Sequence, residues 1–446
     1  MRTGPLRITV LGALLATFVG VATTADGDVA VAAPTYLVQD LGTLPGDVSS
    51  VAMGINEAGD VVGWSVRPNG DTRAFLYTDE TGMTALPAPA GRPLTWARAV
   101  SDTRTVVGTA SPGLPDIGRA VRWQNGTALD LGALGTGLFS EGRGVNDAGV
   151  AVGMSYTNGG ELFGIHGFRF DDASGLVDLT PGTVGSRAEA INDGGQITGW
   201  SNSRAFRLTG PTLTDLGVPE GFAFSFGSAI NESGQVAGHV VTASGNSERV
   251  FRYTDGAGMV LIGGVGEFNR AFGINNAGHV VGQGRSAAGL KGGFVFTDAT
   301  GMRQLNGLID PAAGWFIFGA GDINDAGQIA GWASGPQGHR AVRLVPNGGG
   351  GAVPPAAPSA LAGTVVSPTI VRLNWTDNAN NESGFTVARA TGNRGEFAVL
   401  AQLGANVTTF TDTTVRAGKA HQYRVQAVNS AGASPWSNTI RLRPPR

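Results

Sequence analysis

Short apolar and polar segments follow one another along this chain in an order that repeats. Residues 54–63 read Gly-Ile-Asn-Glu-Ala-Gly-Asp-Val-Val-Gly, which is the end of an apolar strand, a polar turn and the start of a second apolar strand. Asn side chains hydrogen-bond the backbone of tight turns, and Gly adopts the positive φ that a short hairpin needs. The segment therefore predicts a β-hairpin in which Asn56 serves the turn. A calcium site is not expected, because the spaced carboxylates of a calcium loop are missing.

The hairpin pattern occurs seven times. Its Asn column falls at positions 56, 101, 146, 192, 231, 275 and 324, where Ser101 marks a degenerate copy, and the steps are 45, 45, 46, 39, 44 and 49 residues. An alternating Arg-Ala-Phe segment or a variant begins at 73, 119, 166, 204, 249, 292 and 340, and an Asp-Leu-Gly segment or a variant begins at 40, 85, 130, 178, 215, 261 and 304. Alternation of this kind is typical of half-buried strands, so each repeat is predicted to hold four strands.

The fold class predicted from these repeats is all-β. A four-stranded unit cannot bury both faces alone, so residues 34–346 are predicted to form a seven-bladed β-propeller, with an open β-solenoid or a pair of sheets as the alternative. Small residues before each Asn, such as Ala52 and Gly54, predict that this strand is innermost, where neighbouring units crowd together. The columns begin with Asp-Leu-Gly and end with Arg-Ala-Phe, so residues 36–41 are predicted to complete the unit that contains Asn324.

The three columns resemble those of the HAF family of probable extracellular repeats, which is named for a His-Ala-Phe segment. The resemblance covers about residues 35 to 345, and Arg usually stands in this chain where the family has His. It implies an extracellular repeat protein and no particular activity.

After residue 346 the period ends. Residues 347–357 are rich in Gly and Pro, which predicts a linker. Residues 358–446 resemble a fibronectin type III domain over their whole length, with Trp375 and Tyr423 at the positions of its buried Trp and its corner Tyr. The resemblance implies a β-sandwich that serves as a spacer or an accessory module.

The amino terminus combines Arg2 and Arg7, an apolar run over residues 8–22 and small residues up to position 33. These are the parts of a secretory signal, predicted to be residues 1–33, with cleavage after Ala25, Ala32 or Ala33. The run is too short to cross a bilayer comfortably, and no later stretch approaches the roughly 18 apolar residues of a span. We therefore expect a secreted, extracellular protein without a membrane span.

Composition narrows the partners and the chemistry. There is no Cys, so the core alone must hold the fold. The formal net charge is −3, and a nearly neutral chain does not favour a nucleic-acid partner, which would need a basic patch. No metal-binding, phosphate-binding or nucleophile motif occurs, and we expect no cofactor, no metal site, no catalytic residue and a monomer.

Candidate ligand contacts lie on or beside the varied loops at one end of the repeats, because functional residues concentrate on loops that a rigid scaffold holds. Arg98 and Arg143 occupy equivalent positions in neighbouring repeats beside Glu189. Either Glu189 neutralises these guanidinium groups, which we favour, or they bind an acidic ligand such as a uronic acid. The complete set of predicted ligand-binding residues is Arg98, Arg143, Glu189, Trp96, Phe139, Phe224, Phe268 and Trp315.

Two functions remain open at this point. The favoured one is a non-catalytic binding or adhesion protein whose loop end binds an extracellular ligand, such as a glycan or a cell-surface polymer, with the fibronectin-like module as a spacer or tether. The alternative is an extracellular polysaccharide hydrolase or lyase, for which two carboxylates must lie about 5 to 10 Å apart. The candidates for such a pair are Glu141, Glu161, Glu220 and Glu267.

Overall fold

The computed structural model describes residues 21–23, 29–31 and 35–445, apart from 114–117, 158–163, 183–184, 264–267, 286–288, 290, 348–354, 380–381, 383, 393–394, 396, 405 and 430–431. Within residues 1–34, strands Val21–Thr23 and Val29–Val31 pair antiparallel. The rest of the predicted signal segment lies outside the described residues, as does most of the predicted linker. No helix in the described parts of the chain has the length and apolarity that a membrane crossing requires.

The described chain between residues 36 and 346 folds into seven antiparallel sheets of four strands each. We number them sheet 1 to sheet 7 by their place in the Asn column. Their strands are Ser49–Ile55, Val61–Val66, Thr72–Thr78 and Gly82–Ala85 in sheet 1; Leu94–Val100, Val106–Ser111, Arg119–Gln124 and Thr127–Asp130 in sheet 2; Ser140–Val145, Ala151–Tyr156, Ile165–Asp171 and Gly175–Asp178 in sheet 3; Ser186–Ile191, Ile197–Ser201, Arg204–Thr209 and Thr212–Asp215 in sheet 4; Phe224–Ile230, Val236–Val241, Glu248–Thr254 and Gly258–Leu261 in sheet 5; Asn269–Ile274, Val280–Arg285, Lys291–Thr297 and Gly301–Gln304 in sheet 6; and Phe316–Ile323, Ile329–Gly335, Gly338–Pro346 and Tyr36–Asp40 in sheet 7. Two 3₁₀ turns, Leu305–Gly307 and Pro311–Ala313, join sheet 6 to sheet 7.

Sheet 7 takes its fourth strand from the amino-terminal end of the repeats. Tyr36–Asp40 pairs antiparallel with Gly338–Pro346, and Val38 lies opposite Leu344. The predicted exchange of one strand is therefore confirmed. It covers an edge that would otherwise expose unpaired backbone groups.

The apolar core lies between successive sheets, because each sheet packs its face on the next. For example, Ala330 and Ala341 of sheet 7 share a cluster with Phe75 of sheet 1. Complete burial of one large apolar side chain contributes about 1.5 to 3 kcal/mol to folding. The third strands supply one fully buried Phe in each of five sheets, namely Phe75, Phe168, Phe206, Phe251 and Phe294.

The first strands of neighbouring sheets contact one another in chain order, and the first strand of sheet 7 contacts that of sheet 1. The approach is close. A Cβ placed on Gly54 would lie 2.8 Å from the backbone oxygen of Arg98 in sheet 2. The prediction that small residues mark the strands that crowd together is confirmed.

A cycle of hydrogen bonds from the Asn side chains joins the seven hairpins, with one gap among the described residues, between Ser101 and Asn146. The Nδ2 of Asn324 donates to the backbone oxygen of Asn56 at 3.0 Å, which links sheet 7 to sheet 1. Equivalent bonds run from Asn56 to Ser101, Asn146 to Asn192, Asn192 to Asn231, Asn231 to Asn275 and Asn275 to Asn324.

The residues that follow the Asn column form a second cycle, and this one has no gap. The backbone N–H of Glu57 donates to Asp102 Oδ1 at 2.8 Å, and the N–H of Asp325 donates to Glu57 Oε2 at 3.0 Å. The full series is Glu57, Asp102, Asp147, Asp193, Glu232, Asn276 and Asp325, returning to Glu57.

The carboxy-terminal part of the chain forms two further antiparallel sheets around a core that includes Trp375, Phe385 and Tyr423. The phenol of Tyr423 donates to Asp412 Oδ2 at 2.8 Å, so the buried hydroxyl is satisfied. One sheet holds Ser359–Ser367, Ile370–Thr376 and Thr409–Asp412, and the other holds Gly384–Thr391, Ala398–Gly404, His421–Asn429, Gly432–Ala433 and Ile440–Leu442.

Candidate functional site

Each first strand carries a β-bulge at the residue three positions before the Asn column. In sheet 2, Ala97 pairs with Gly108 and Ala99 with Val107, so Arg98 between them has no partner in the ladder. A bulge re-aims the side chain of the extra residue. The bulge residues are Met53, Arg98, Arg143, Glu189, Ser228, Phe272 and Gly321.

All seven bulge residues line one cavity with a volume of about 900 Å³. Repeat-equivalent positions thus contribute a thioether, two guanidinium groups, a carboxylate, a hydroxyl, an aromatic ring and a bare backbone to the same space. The bulge column thus differs in chemistry from sheet to sheet, whereas the adjoining hairpins are near-identical.

A charged cluster occupies the side of the cavity formed by sheets 2, 3 and 4. Arg143 binds two carboxylates, with Nη2 2.5 Å from Glu141 Oε2 and Nη1 3.3 Å from Glu189 Oε2. Burial alone would raise the pKa of Glu141, but the charges of Arg143 and Arg98 outweigh it and the pKa is lowered. Burial lowers the pKa of Arg98, and the neighbouring charge of Arg143 lowers it further. The favoured pairing with Glu189 is thus observed for Arg143, whereas no described residue forms an ion pair with Arg98.

An aromatic wall lies beside the charged cluster. The ring of Trp200 meets Phe226 edge-on, with centroids 5.7 Å apart, and Phe226 stacks on His239 at 5.2 Å. The guanidinium of Arg187 lies over Trp200, 5.7 Å from its ring centroid. Burial lowers the pKa of His239 to about 4, so its ring is neutral at physiological pH. All four side chains line the cavity, and together they offer flat aromatic faces next to a cation.

A second charged group that lines the cavity is the pair Glu248 and Arg270. Two guanidinium nitrogens of Arg270 lie 2.7 and 2.6 Å from the two carboxylate oxygens of Glu248. Such a bidentate pair holds both side chains in one orientation. It joins sheet 5 to sheet 6.

The predicted ligand-binding residues divide into two groups. Arg98, Arg143, Glu189 and Phe224 line the cavity. The other four are not among its lining residues. Phe139 packs on Tyr156 with ring centroids 5.4 Å apart, Phe268 lies under Arg285, Trp315 packs on the core of sheet 7, and Trp96 is half-buried in sheet 2.

Several cavity residues were not predicted from the sequence. Arg187 and Arg270 stand two positions before a bulge residue, and Trp200 and Trp332 stand next to the Gly of a second strand. Both positions, the one two residues before the bulge and the one after the second-strand Gly, recur in every repeat. They could have been selected from the sequence if the place of the bulge had been known. Phe272 was not predicted, because a single aromatic residue on a first strand is typical of the apolar core.

Of the four candidates for the carboxylate pair of a hydrolase or lyase, two lie among the described residues: Glu141, and Glu220, which is exposed and is not among the residues that line the cavity. Glu161 and Glu267 lie outside the described residues. Glu141 is bound to Arg143, and its lowered pKa keeps it ionised at neutral pH. A general acid must instead hold its proton near the working pH, so Glu141 does not suit that role.

Comparisons with known proteins bear on one part of the chain. No protein-family model matches it, and a search of curated proteins found no match. Solved structures that are similar to part of it include the third fibronectin III domain of human KIAA0343 protein, at 17% identity over 22% of this chain and 88% of that chain, with a TM-score of 0.20. They also include a Fn3-like protein from Clostridium thermocellum, at 27% identity over 21% of this chain and 97% of that chain, with a TM-score of 0.19.

Proposed function

We propose that this protein is a secreted, non-catalytic binding protein whose seven sheets are the blades of a HAF-like β-propeller. Its cavity binds an extracellular glycan, and the carboxy-terminal module, a fibronectin type III domain, acts as a spacer or tether. The observation that carries the proposal is the convergence of seven chemically different bulge residues on one cavity.

The propeller arrangement is supported by the hairpin hydrogen bonds. A linear stack of sheets has two ends, whereas the bonds among the seven hairpins return from Asp325 to Glu57. The shared fourth strand of sheet 7 supports the same arrangement. Secretion is supported by the charged, apolar and small-residue segments at the amino terminus.

A glycan is favoured as the ligand because the cavity combines aromatic faces with charged hydrogen-bonding groups. The faces of Trp200 and Trp332 can pack on the apolar side of a sugar ring, and Glu189 can accept hydrogen bonds from hydroxyls. Binding sites for small ligands typically pair such apolar walls with a few placed polar groups.

The test is a glycan array probed with the purified full chain, followed by calorimetry on the glycans that bind. Trp200→Ala should weaken binding at least tenfold, because it removes one aromatic wall. Trp64→Ala is the matched control, since Trp64 holds the same position in sheet 1, is similarly half-buried and is not among the lining residues. Absence of binding to every glycan, or equal effects of the two variants, would contradict the proposal.

A further inference from the structure

The charged cluster on the sheet 2 to sheet 4 side of the cavity has an excess of positive charge. It contains the three guanidinium groups of Arg98, Arg143 and Arg187 and the two carboxylates of Glu141 and Glu189. Arg143 binds both carboxylates. Arg98 and Arg187 form no ion pair with the described residues, and the nearby charges of Glu141 and Glu189 act on Arg98 without contacting it.

Of these two, Arg187 lies over the face of Trp200 and is stabilised by that ring. Arg98 forms neither an ion pair nor a contact with an aromatic ring among the described residues. Its Nε is buried without a hydrogen-bond partner, and the described residues provide no hydrogen bond or ion pair to its side chain. A buried cationic donor without a hydrogen-bond partner destabilises the folded protein. A bound anion would supply that partner and offset the penalty.

The position of Arg98 makes it accessible to a ligand, since it is a bulge residue and lines the cavity. A guanidinium presents Nε and Nη as a fork that matches the two oxygens of a carboxylate. Lys could not provide that geometry.

We propose that Arg98 binds the carboxylate of an acidic sugar, so that the ligand of the cavity is a uronic acid-containing glycan. This inference rests on the proposed function, because it specifies the ligand of the same cavity. The aromatic wall of Trp200 and Phe226 lies beside the cluster and receives the sugar ring, while the carboxylate enters between Arg98 and Arg187.

A sugar fits these contacts better than an acidic peptide. The cavity wall offers flat aromatic faces and carboxylates such as Glu189 and Glu248, which accept hydrogen bonds from hydroxyl groups. A sugar ring presents an apolar face to the aromatic wall and hydroxyl donors to the carboxylates, whereas the backbone N–H groups of a peptide match the carboxylates alone.

The experiment is isothermal titration of the full chain with an α-1,4-linked galacturonic acid trisaccharide. Three further probes are its methyl ester, a sulfated galactose trisaccharide and the tripeptide Gly-Glu-Gly. The ester has the same shape without the charge, the sulfated sugar tests charge alone and the tripeptide tests a peptide carboxylate. We expect the acid to bind at least tenfold more tightly than each of the other three.

Arg98→Gln should lower affinity for the acid about 10- to 100-fold and leave affinity for the ester unchanged, because a hydrogen-bonded charge contributes that much discrimination. Arg98→Lys should recover only part of the loss. Arg303→Gln, at an exposed arginine on the fourth strand of sheet 6, is the control, and thermal melting verifies that each variant is folded.

The outcomes separate this inference from the proposed function. Equal binding of acid and ester, or unchanged acid binding by folded Arg98→Gln, overturns the carboxylate contact while glycan binding stands. Preference for the sulfated sugar or the tripeptide overturns the uronic acid assignment. Binding of none of the sugars overturns the inference, and the glycan array then decides the proposed function independently.

Discussion

At the scale of single residues, the Asn column does two jobs with one side chain. Within each hairpin the amide oxygen accepts a backbone hydrogen bond, as from Asp60 N–H to Asn56 Oδ1 at 2.8 Å. The amide nitrogen then donates to the next hairpin. The first role was predicted from turn chemistry, and the second is a link between sheets that explains why the position recurs.

Ser101 is the natural exception and yields a prediction. Its hydroxyl serves its own turn, where Thr105 N–H donates to Ser101 Oγ, but it cannot reach sheet 3. We expect Ser101→Asn to raise the free energy of unfolding by about 1 kcal/mol, the usual net value of one buried hydrogen bond. Urea denaturation measures this change.

The reverse substitution Asn231→Ser is the matched control and should destabilise by a similar or larger amount, because Asn275 would lose its donor. A Ser101→Asn protein that is no more stable than the wild type would contradict the role assigned to the amide.

At the scale of elements, arginines within the third strands connect one sheet to the next. Arg343 of sheet 7 donates to the backbone oxygen of Gly59 and to Asp79 of sheet 1, both at 2.6 Å, and lies over Tyr77. Arg122, Arg207 and Arg252 make the same contacts with the sheets that follow theirs. Each combines a charge-assisted hydrogen bond with a cation–π contact, so the fourth residue of the Arg-Ala-Phe segment belongs to an interface.

The borrowed strand Tyr36–Asp40 should be essential to stability. Removing residues 35–42 exposes the edge of Gly338–Pro346 and removes Leu41 from the core shared by sheets 7 and 1. We expect the melting temperature of the repeats to fall by more than 10 °C, since the loss of several kcal/mol in a domain of this size corresponds to roughly that shift.

Circular dichroism on the full chain and on the deletion protein measures the change. Deletion of residues 443–446 is the control, because it removes a short segment from outside the repeats. A melting temperature that is unaffected by loss of the strand would contradict its structural role.

At the scale of the whole molecule, the second cycle of hydrogen bonds brings like charges together. Loss of water around the Glu57 carboxylate and the nearby charge of Asp325 raise its pKa to about 8. Burial raises the pKa of Asp322 to about 7. At pH values above the ordinary carboxyl pKa, the folded protein therefore keeps these two carboxyl groups protonated to a greater extent than the unfolded chain does.

Stability should consequently fall as pH rises from about 5 to about 8, because the unfolded chain binds fewer protons than the folded chain across that range. Neighbouring atoms crowd the Glu57 carboxylate, but the residue as a whole is exposed, so solvent screens part of the effect and we expect a modest slope. Urea midpoints measured at intervals from pH 5 to 8.5 test this.

Glu57→Gln keeps an oxygen for the Asp325 N–H and should flatten the slope, whereas Glu80→Gln, at an exposed carboxylate outside the cycle, should not. Stability that rises with pH through this range would refute the assignment.

The repeats and the carboxy-terminal module should fold independently. Trp375 packs on Phe385 in the core of that module, with ring centroids 5.8 Å apart. Trp375→Ala should abolish folding of fragment 358–446, because such truncations cost about 3 to 5 kcal/mol and small domains have little more to lose. Thermal melting of fragments 34–346 and 358–446 and of the full-length variant measures this, and a lower transition for the repeats would show that the modules depend on each other.

The sequence by itself determined the strands, the hairpins and the borrowed strand of sheet 7. The hairpins depend on residues a few positions apart, such as those in the turn of Asn56. The pairing of the amino-terminal strand with sheet 7 follows from the order in which the repeated segments occur along the chain. The seven-bladed arrangement was an extension of that period and is still a proposal.

Only the tertiary structure decided which side chains meet. Arg143 binds both Glu141, two positions away in the sequence, and Glu189, 46 positions away, because a bulge turns it into the cavity. Arg98 has the same position one sheet earlier and has no such partner among the described residues. Contacts between sheets join residues about 45 positions apart, and their geometry depends on bulges and packing angles that no local pattern of apolar and polar residues encodes.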